Sequence, residues 1–208
     1  ISKFGIISGS DTSRIISSKQ SSIISSHRSI LTNSNKTSII GGSTHSTFYS
    51  NNSVIIGGEV NSLYKSGNSI ILGGINNRVE SNPTTDGLNS SIINGINNKI
   101  GYNAYNSSIM GGSSNYIKAT SESSIIGGFS NSIILSYGYS RNTIVGGSSN
   151  QINNDANNAI VLGGYSNTVS KSGSSVLGGQ YNNVQSGQSS IVGGYNNTIS
   201  QVAGNSAI

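Results

Sequence analysis

Carboxylates, histidines and serines are the side chains of this protein that could do catalytic chemistry, and their spacing argues against catalysis. No two acids lie within four residues of each other, so no pair is placed for general acid–base chemistry. The acids are Asp11, Glu59, Glu80, Asp86, Glu122 and Asp155. The two histidines, His27 and His45, fall at different positions of the repeat described below, and neither has an aspartate partner by register that would let it activate a serine. We therefore predict that the protein is not an enzyme.

Metal and cofactor sites also lack their usual ligands. The chain has no cysteine, and histidines in different columns would not stack as a metal-binding pair. Glycine doublets are frequent, but none is followed by the Gly-Lys-Ser/Thr of a phosphate-binding loop. We expect neither a metal nor a small-molecule cofactor.

The formal charge of +5 is concentrated in the first 36 residues. The basic residues there are Lys3, Arg14, Lys19, Arg28 and Lys36, against the single acid Asp11. A nucleic-acid surface would interleave such cations with stacking aromatics, and only Phe4 is near, so we expect no nucleic-acid partner. No apolar run approaches the roughly 20 residues of a membrane span, which predicts no membrane insertion by this segment.

The dominant feature of the sequence is a short repeat whose hydrophobic part ends in two glycines. The string SIIGG stands at residues 38–42 and again at 124–128, with near-copies such as IILGG and SIVGG between and beyond. Successive copies are 15 to 21 residues apart. A sharp turn and a close approach of two backbones both favour glycine at this point. The second glycine is present in all ten copies, at Gly42, Gly58, Gly74, Gly95, Gly112, Gly128, Gly147, Gly164, Gly179 and Gly194.

An asparagine lies four residues after the first glycine position in nine of these copies, one of which has Asn94 at that position, and His45 replaces the asparagine in the first copy. An aliphatic residue comes two further on, and since side chains alternate along a strand, the two share a face. In two neighbouring turns the position between them is occupied by Arg78 and Lys99. Because charged side chains need water, this position faces outward and the asparagines face inward. Inside, they would bond one another or the backbone; the alternative is that they merely serve a left-handed turn. The asparagines are Asn61, Asn77, Asn98, Asn115, Asn131, Asn150, Asn167, Asn182 and Asn197.

The aliphatic doublet before the glycines predicts an intermolecular contact. Adjacent residues of a strand face opposite sides of its sheet, so one column of the doublet lines the core and the other points outward. About ten exposed aliphatics in one stripe exceed what a monomer usually leaves in water. The residues that precede the glycines directly are Ile40, Ile56, Leu72, Ile93, Met110, Ile126, Val145, Leu162, Leu177 and Val192, and which column is the outer one is left open.

These patterns predict an all-β fold, a parallel β-solenoid or β-roll of about 12 turns with two short strands per turn of 15–21 residues. β-branched Ile with Gly, Ser and Asn disfavours helices. We expect one array over residues 1–208, with degenerate glycine-poor turns at 1–37, where Ser8 and Ser25 take the glycine position, and regular turns at 38–208. Insertions starting at Glu80 and Leu135 fall between the predicted strand that follows an asparagine and the next aliphatic doublet. The closing GNSAI reads like the start of another repeat, which predicts a piece of a longer chain.

The repeat resembles the head domain of YadA-like trimeric autotransporter adhesins, whose repeats carry a Ser-aliphatic-x-aliphatic-Gly motif. Here the motif is NSVIIGG (52–58), NSIILGG (68–74), NSSIMGG (106–112) and NNAIVLGG (157–164). The resemblance implies a homotrimer of left-handed rolls around a threefold axis, with the Ile/Val-bearing strand buried between chains. Bulky Ile replaces the family's small alanine, and similar arrays occur in fibre proteins of viruses and phages.

Taken together, these features predict a structural and adhesive module of a surface fibre, located outside a cell or on a virion, with itself and a host-surface glycan or protein as partners. A purely structural filament and an ice-binding solenoid are the alternatives; sparse threonine argues against the latter. The candidate contact residues are the loop and surface aromatics Tyr102, Tyr105, Tyr116, Tyr137 and Tyr139, each of which could instead cover the edge of the roll.

Overall fold

The protein is a two-sheet parallel β-solenoid, as the repeat predicts. The structure is a computed structural model that describes residues 5–81, 88–135, 140–201 and 205–208. Each turn contributes one short strand to each sheet, and strands pair only with the equivalent strands of neighbouring turns, in parallel. Over the described residues there are twelve strands per sheet and no helix, in agreement with the twelve turns counted in the sequence.

The first sheet, called sheet 1, carries the aliphatic doublets. It consists of β1 (Gly5–Ser8), β3 (Ser21–Ile24), β5 (Ser38–Ile40), β7 (Val54–Ile56), β9 (Ile70–Leu72), β11 (Ser91–Ile93), β13 (Ser108–Met110), β15 (Ser124–Ile126), β17 (Thr143–Val145), β19 (Ile160–Val161), β21 (Ser175–Val176) and β23 (Ser190–Ile191).

The second sheet, called sheet 2, carries the aliphatic residue that follows each asparagine. It consists of β2 (Arg14–Ile16), β4 (Ile30–Thr32), β6 (Ser46–Phe48), β8 (Ser62–Tyr64), β10 (Arg78–Glu80), β12 (Lys99–Ile100), β14 (Tyr116–Lys118), β16 (Ser132–Leu135), β18 (Gln151–Asp155), β20 (Thr168–Lys171), β22 (Asn183–Val184) and β24 (Thr198–Ile199).

The core is one continuous column of aliphatic side chains from both sheets. In sheet 1 it is formed by the first residue of each doublet, such as Ile39, Ile55 and Ile125, all of which have no exposed surface. Leu63 and most of its equivalents in sheet 2, such as Val79 and Ile117, are buried just as completely. The second residue of each doublet therefore points outward, which answers the question that the sequence left open.

A regular turn of 16 residues is built from two half-turns of eight residues. Inward positions in one turn are Ile39, His45 and Thr47, then Ser50, Ser53 and, at the start of the next turn, Ile55, all of them at most 1% exposed. The five residues between the strand of sheet 1 and that of sheet 2 (41–45 in this turn) form the glycine corner. The five residues that lead back to sheet 1 (49–53) form the serine corner.

The glycine-poor beginning of the chain pairs in the same two sheets. β1 pairs with β3 and β3 with β5, while β2 pairs with β4 and β4 with β6. The assignment of Ser8 to the glycine position was wrong by one residue, because Ser8 lies beside Ile24 in the ladder. Gly9, with φ of +60°, takes that position instead, followed by Ser25 and Gly41 in the next turns.

Both sequence insertions run partly outside the described residues, in segments 82–87 and 136–139. The flanking strands keep their register: Val79 pairs with Ile100 and Ile133 with Ile152. In the described part of the chain no helix is long and apolar enough to cross a membrane.

Candidate functional site

The nine asparagines all lie in the glycine corners, and the side chains of the first eight tie each turn to the next, whereas that of Asn197 bonds Gly193 in its own turn. The side-chain oxygen of Asn61 accepts a hydrogen bond from the backbone N–H of Asn77 at 2.9 Å, and its amide group donates to the carbonyl of Gly74 at 3.0 Å. The same pair of bonds recurs from Asn150 to the N–H of Asn167 and to the carbonyl of Gly164. None of the nine has a positive φ; the residue before each of them does. They therefore act as inter-turn clamps and not as left-handed turn residues.

The second glycine of each doublet makes room for the asparagine. A Cβ on Gly58 would lie 2.6 Å from the amide nitrogen of Asn61 and would collide with the carbonyl of Gly74. Where the glycine corner lacks glycine, the asparagine is also missing: Ser26 and Ser29 occupy the two positions in the second turn. The described corners therefore hold three combinations at these two positions: Ser with Ser, Gly with Asn, and Gly with His at Gly42 and His45.

A second polar column, in the serine corners, was missed by the sequence analysis, which treated this stretch as variable. Ser53 donates to the carbonyl of Ser66 in the next turn at 2.9 Å and accepts from the N–H of Ser69 at 3.1 Å. Ser21, Ser90 and other buried residues in equivalent positions do the same. An inward serine lies eight residues before the inward asparagine of the next corner, as Ser53 does before Asn61. This spacing could have revealed the column.

His45 occupies an asparagine position with an imidazole. Its Nδ1 accepts a hydrogen bond from the N–H of Asn61 at 3.2 Å, which leaves the proton on Nε2. This Nε2 is buried and has no partner among the described residues. Burial lowers the pKa of His45, so the ring is neutral at pH 7.

We expect the His45→Asn variant to be more stable than the natural protein, by about 1 kcal/mol at neutral pH, because asparagine satisfies the buried donor that His45 leaves unpaired. The gap should widen below about pH 6.5, since the unfolded histidine gains a proton there while the folded one resists it. Thermal unfolding between pH 7.5 and 5 measures both effects. The His27→Asn variant, altered at an exposed histidine, is the control; an equal loss of stability in acid for His45→Asn and the natural protein would contradict the prediction.

The outer face of sheet 1 is a stripe of half-exposed aliphatic side chains. Eleven residues in one column, from Ile24 to Val192, have between 36% and 63% of their surface exposed. The neighbouring outward column consists mostly of small side chains such as Ser38, Ser108 and Ser175, so the aliphatics stand above it. This face therefore carries a regular apolar column through eleven turns, beside a column of mostly small side chains.

Charge is segregated between the two sheets. No strand of sheet 1 contains a charged residue. The strands of sheet 2 contain seven, namely Arg14, Arg78, Glu80, Lys99, Lys118, Asp155 and Lys171. Only sheet 2 therefore has the composition of a surface that stays in water.

An ion cluster that sequence reasoning missed lies in the middle of sheet 2. Glu80, with 3% of its side chain exposed, pairs with Arg78 at 2.6 Å in its own strand and with Lys99 in the next turn. Arg78 and Lys99 lie in the outward column, as expected, and Glu80 shares their face because it lies two residues after Arg78. The two-residue spacing of Arg78 and Glu80 places both side chains on one face of a strand and could have revealed this ion pair.

The candidate contact aromatics have different environments. Tyr102 is 40% exposed. Tyr105 is partly buried and packs against the core, so it covers the edge of the roll instead of being available for contact. Tyr116 lies half-buried on sheet 2, where burial first, then Glu80 and Tyr102, raise its pKa. Tyr137 and Tyr139 lie outside the described residues.

Two aromatic groups were not anticipated. On sheet 2, the Phe48 and Tyr64 rings stack in parallel in successive turns, with centroids 5.8 Å apart. At the glycine corners of the last turns, Tyr165, Tyr181 and Tyr195 form a chain of edge-on contacts with centroids 5.3 and 5.7 Å apart. The spacing of Phe48 and Tyr64 by one 16-residue turn was the signal for the first group.

The statement that neither histidine has an aspartate partner was wrong for His27. Asp11 and His27 are neighbours in the ladder of the glycine corners, and their side chains approach to 3.4 Å. The error came from placing Ser8 instead of Gly9 in the glycine column, which shifted Asp11 by one position. Ser43 is next in the same column, but its hydroxyl pairs with Thr44, and no hydrogen bond joins it to His27 in the described structure. The N–H groups of Ser43 and Thr44 both bond neighbouring turns, so neither is free to stabilise an oxyanion.

Among residues 5–81, 88–135, 140–201 and 205–208, no three acids or histidines come together as a metal site would require. The most extended feature that the structure presents to a partner is the apolar face of sheet 1. No protein-family model and no curated protein sequence matches this chain.

Proposed function

We propose that this chain is a structural and adhesive module of a surface fibre on a cell or virion. In this proposal three copies associate side by side, with sheet 1 of each copy facing the shared axis and sheet 2 facing outward. The observation that carries it is the column of half-exposed aliphatics on a sheet whose strands have no charge.

The size of this apolar face supports association. Covering the exposed part of one such aliphatic contributes about 1 kcal/mol, so eleven of them contribute on the order of 10 kcal/mol per chain, against the cost of association. Parallel chains would match rung for rung, because every copy has the same strand spacing of about 4.8 Å. The threefold symmetry comes from the resemblance to trimeric adhesin heads.

The adhesive part of the proposal is passive. A rigid rod presents the same outer surface three times, and three weak contacts to one target surface combine into a stronger attachment. A purely structural shaft without a receptor is the second candidate; it is supported by the continuous core and the inter-turn clamps, which give rigidity.

Light scattering on the purified protein tests the assembly. We expect a mass three times the 21.4 kDa of the chain at micromolar concentration, and an unfolding temperature that rises with protein concentration. A stable monomer would contradict the role of sheet 1, and a dimer would contradict the threefold arrangement.

A further inference from the structure

The outer side of the roll is basic, and its cations are distributed unevenly around the turn. Ten lysines and arginines lie in the described chain, and nine of them are on sheet 2 or in the serine corners. Among the described residues, three acids share that region, Glu80, Glu122 and Asp155. The tenth cation, Arg28, lies in a glycine corner, and sheet 1 has none. A target with negative charge would therefore be attracted to one side of the rod.

The middle of this region holds its cations in place against aromatic rings. The ammonium nitrogen of Lys65 lies 5.4 Å from the ring centroid of Tyr64 and 6.0 Å from that of Tyr49. Arg78 lies 5.9 Å from the centroid of Tyr64 in the preceding turn. These contacts and the ion pairs with Glu80 restrict the side chains before any ligand arrives, which lowers the entropy lost on binding.

The same cluster retains unmatched positive charge. Glu80 is the one carboxylate that pairs with Arg78 and Lys99 in the described structure, and Lys65 forms no ion pair there. Lys99 also lies 5.5 Å from the ring centroid of Tyr116. Among the described residues, three cations in neighbouring turns therefore face one carboxylate: Arg78 and Lys99 share one column of sheet 2, and Lys65 lies beside that column at the start of a serine corner.

The arrangement of the rings favours an acidic polysaccharide over a single-stranded nucleic acid. Nucleic-acid strands bind by stacking successive bases on exposed aromatic faces. Here Phe48 stacks on Tyr64, and cations lie over Tyr64 and Tyr116, so these rings orient the cations instead of offering open faces. Repeated sulfates or carboxylates on a linear chain can contact several ammonium and guanidinium groups in neighbouring turns without needing base stacking.

We propose that the cluster formed by Lys65, Arg78 and Lys99 binds a linear sulfated or carboxylated polysaccharide. This site deepens the adhesive role proposed above, since assembly would present it three times, but the site itself lies within one chain. Each copy would contribute weak, salt-sensitive binding, and the trimer would add avidity.

The test compares polysaccharide binding by the purified 208-residue protein and two double variants of equal charge. Lys65→Gln/Lys99→Gln removes two cations of the cluster and leaves Arg78 to pair with Glu80. The control, Arg141→Gln/Lys171→Gln, removes two outer cations, each of which pairs with an exposed acid elsewhere. The probes are dextran sulfate, polygalacturonate, neutral dextran and a single-stranded oligonucleotide, at fixed physiological salt.

We expect dextran sulfate or polygalacturonate to bind the natural protein and neutral dextran not to bind. The cluster variant should lose at least tenfold in affinity, and the control less than threefold. Equal losses in both variants, or no binding of either acidic polysaccharide, or tighter binding of the oligonucleotide would overturn the proposal. If Lys65→Gln/Lys99→Gln fails to fold, Lys65→Glu alone gives the same comparison, because Lys65 has no carboxylate to leave unpaired in the described structure.

The mass of each sample separates this proposal from the assembly. A trimer that binds no polysaccharide would overturn the cluster alone, whereas a monomer that binds through Lys65 and Lys99 would overturn the role of sheet 1 alone.

Discussion

Replacing Ile125 with lysine should disorder the middle of the roll, whereas the same replacement of its neighbour Ile126 should leave the roll folded and dissociate the chains. Ile125 has no exposed surface and pairs with Ile109 and Ile144 in the turns on either side. Ile126 is 39% exposed on the outer face of sheet 1. The two variants have the same composition and differ only in the face that receives the charge.

The physical basis is the cost of a buried charge. Ile125→Lys loses the packing of a large aliphatic, about 2 to 5 kcal/mol, and places an ammonium group among apolar side chains without a partner. Because each turn contacts only its neighbours, the disorder should extend to the turns around residues 109 and 144. At Ile126 the ammonium reaches water in a single chain, but in a trimer it would be desolvated three times.

Hydrogen exchange and light scattering together measure this pair. Ile125→Lys should lose amide protection in the central turns, while Ile126→Lys should keep it and shift the mass toward that of one chain. Ile126→Ser, an uncharged variant of the same position, separates the loss of apolar contact from repulsion. Equal loss of protection in both lysine variants would show that the two faces are not distinguished as described.

The second large effect concerns the two glycines that follow. Gly128→Ala should destabilise the roll by more than about 4 kcal/mol, and Gly127→Ala by only about 1 to 2 kcal/mol. Both glycines have positive φ, +84° and +71°. A Cβ on Gly128 would lie 2.5 Å from the carbonyl oxygen of Gly147 in the next turn and would collide with the amide of Asn131, whereas nothing lies within 4 Å of a Cβ on Gly127.

Urea unfolding of the two alanine variants checks this difference. Gly127→Ala carries only the backbone cost of a left-handed residue, and Asn94 shows that a non-glycine residue with φ of 59° is accepted at this column. Gly127→Asn should therefore lie closer to the natural protein than Gly127→Ala. If Gly128→Ala and Gly127→Ala unfolded at the same urea concentration, the close packing of successive corners would be contradicted.

The repeat period and its columns were sufficient to predict the fold class of this protein. A doublet of aliphatics, a glycine doublet and an asparagine at constant spacing can satisfy their burial only if equivalent residues stack, because no single turn of about 16 residues has a core of its own. The inward asparagines followed from strand alternation and from the charges of Arg78 and Lys99 one residue away in the repeat. These are local constraints, and they act within each turn in the same way.

The tertiary structure decided which residue of the doublet faces out. Both are aliphatic, so their types do not distinguish them, and strand alternation cannot be counted through a corner where residues such as Gly42 and Thr44 have positive φ. The second limit on prediction was the register between turns, that is, which residues of neighbouring turns lie side by side. A one-residue error at Ser8 hid the contact of Asp11 with His27, and the partners of Glu80 and Ser53 became visible only when neighbouring turns were stacked. Sequence determines what one turn must bury, whereas contacts between turns depend on a register that the insertions and the irregular corners leave open.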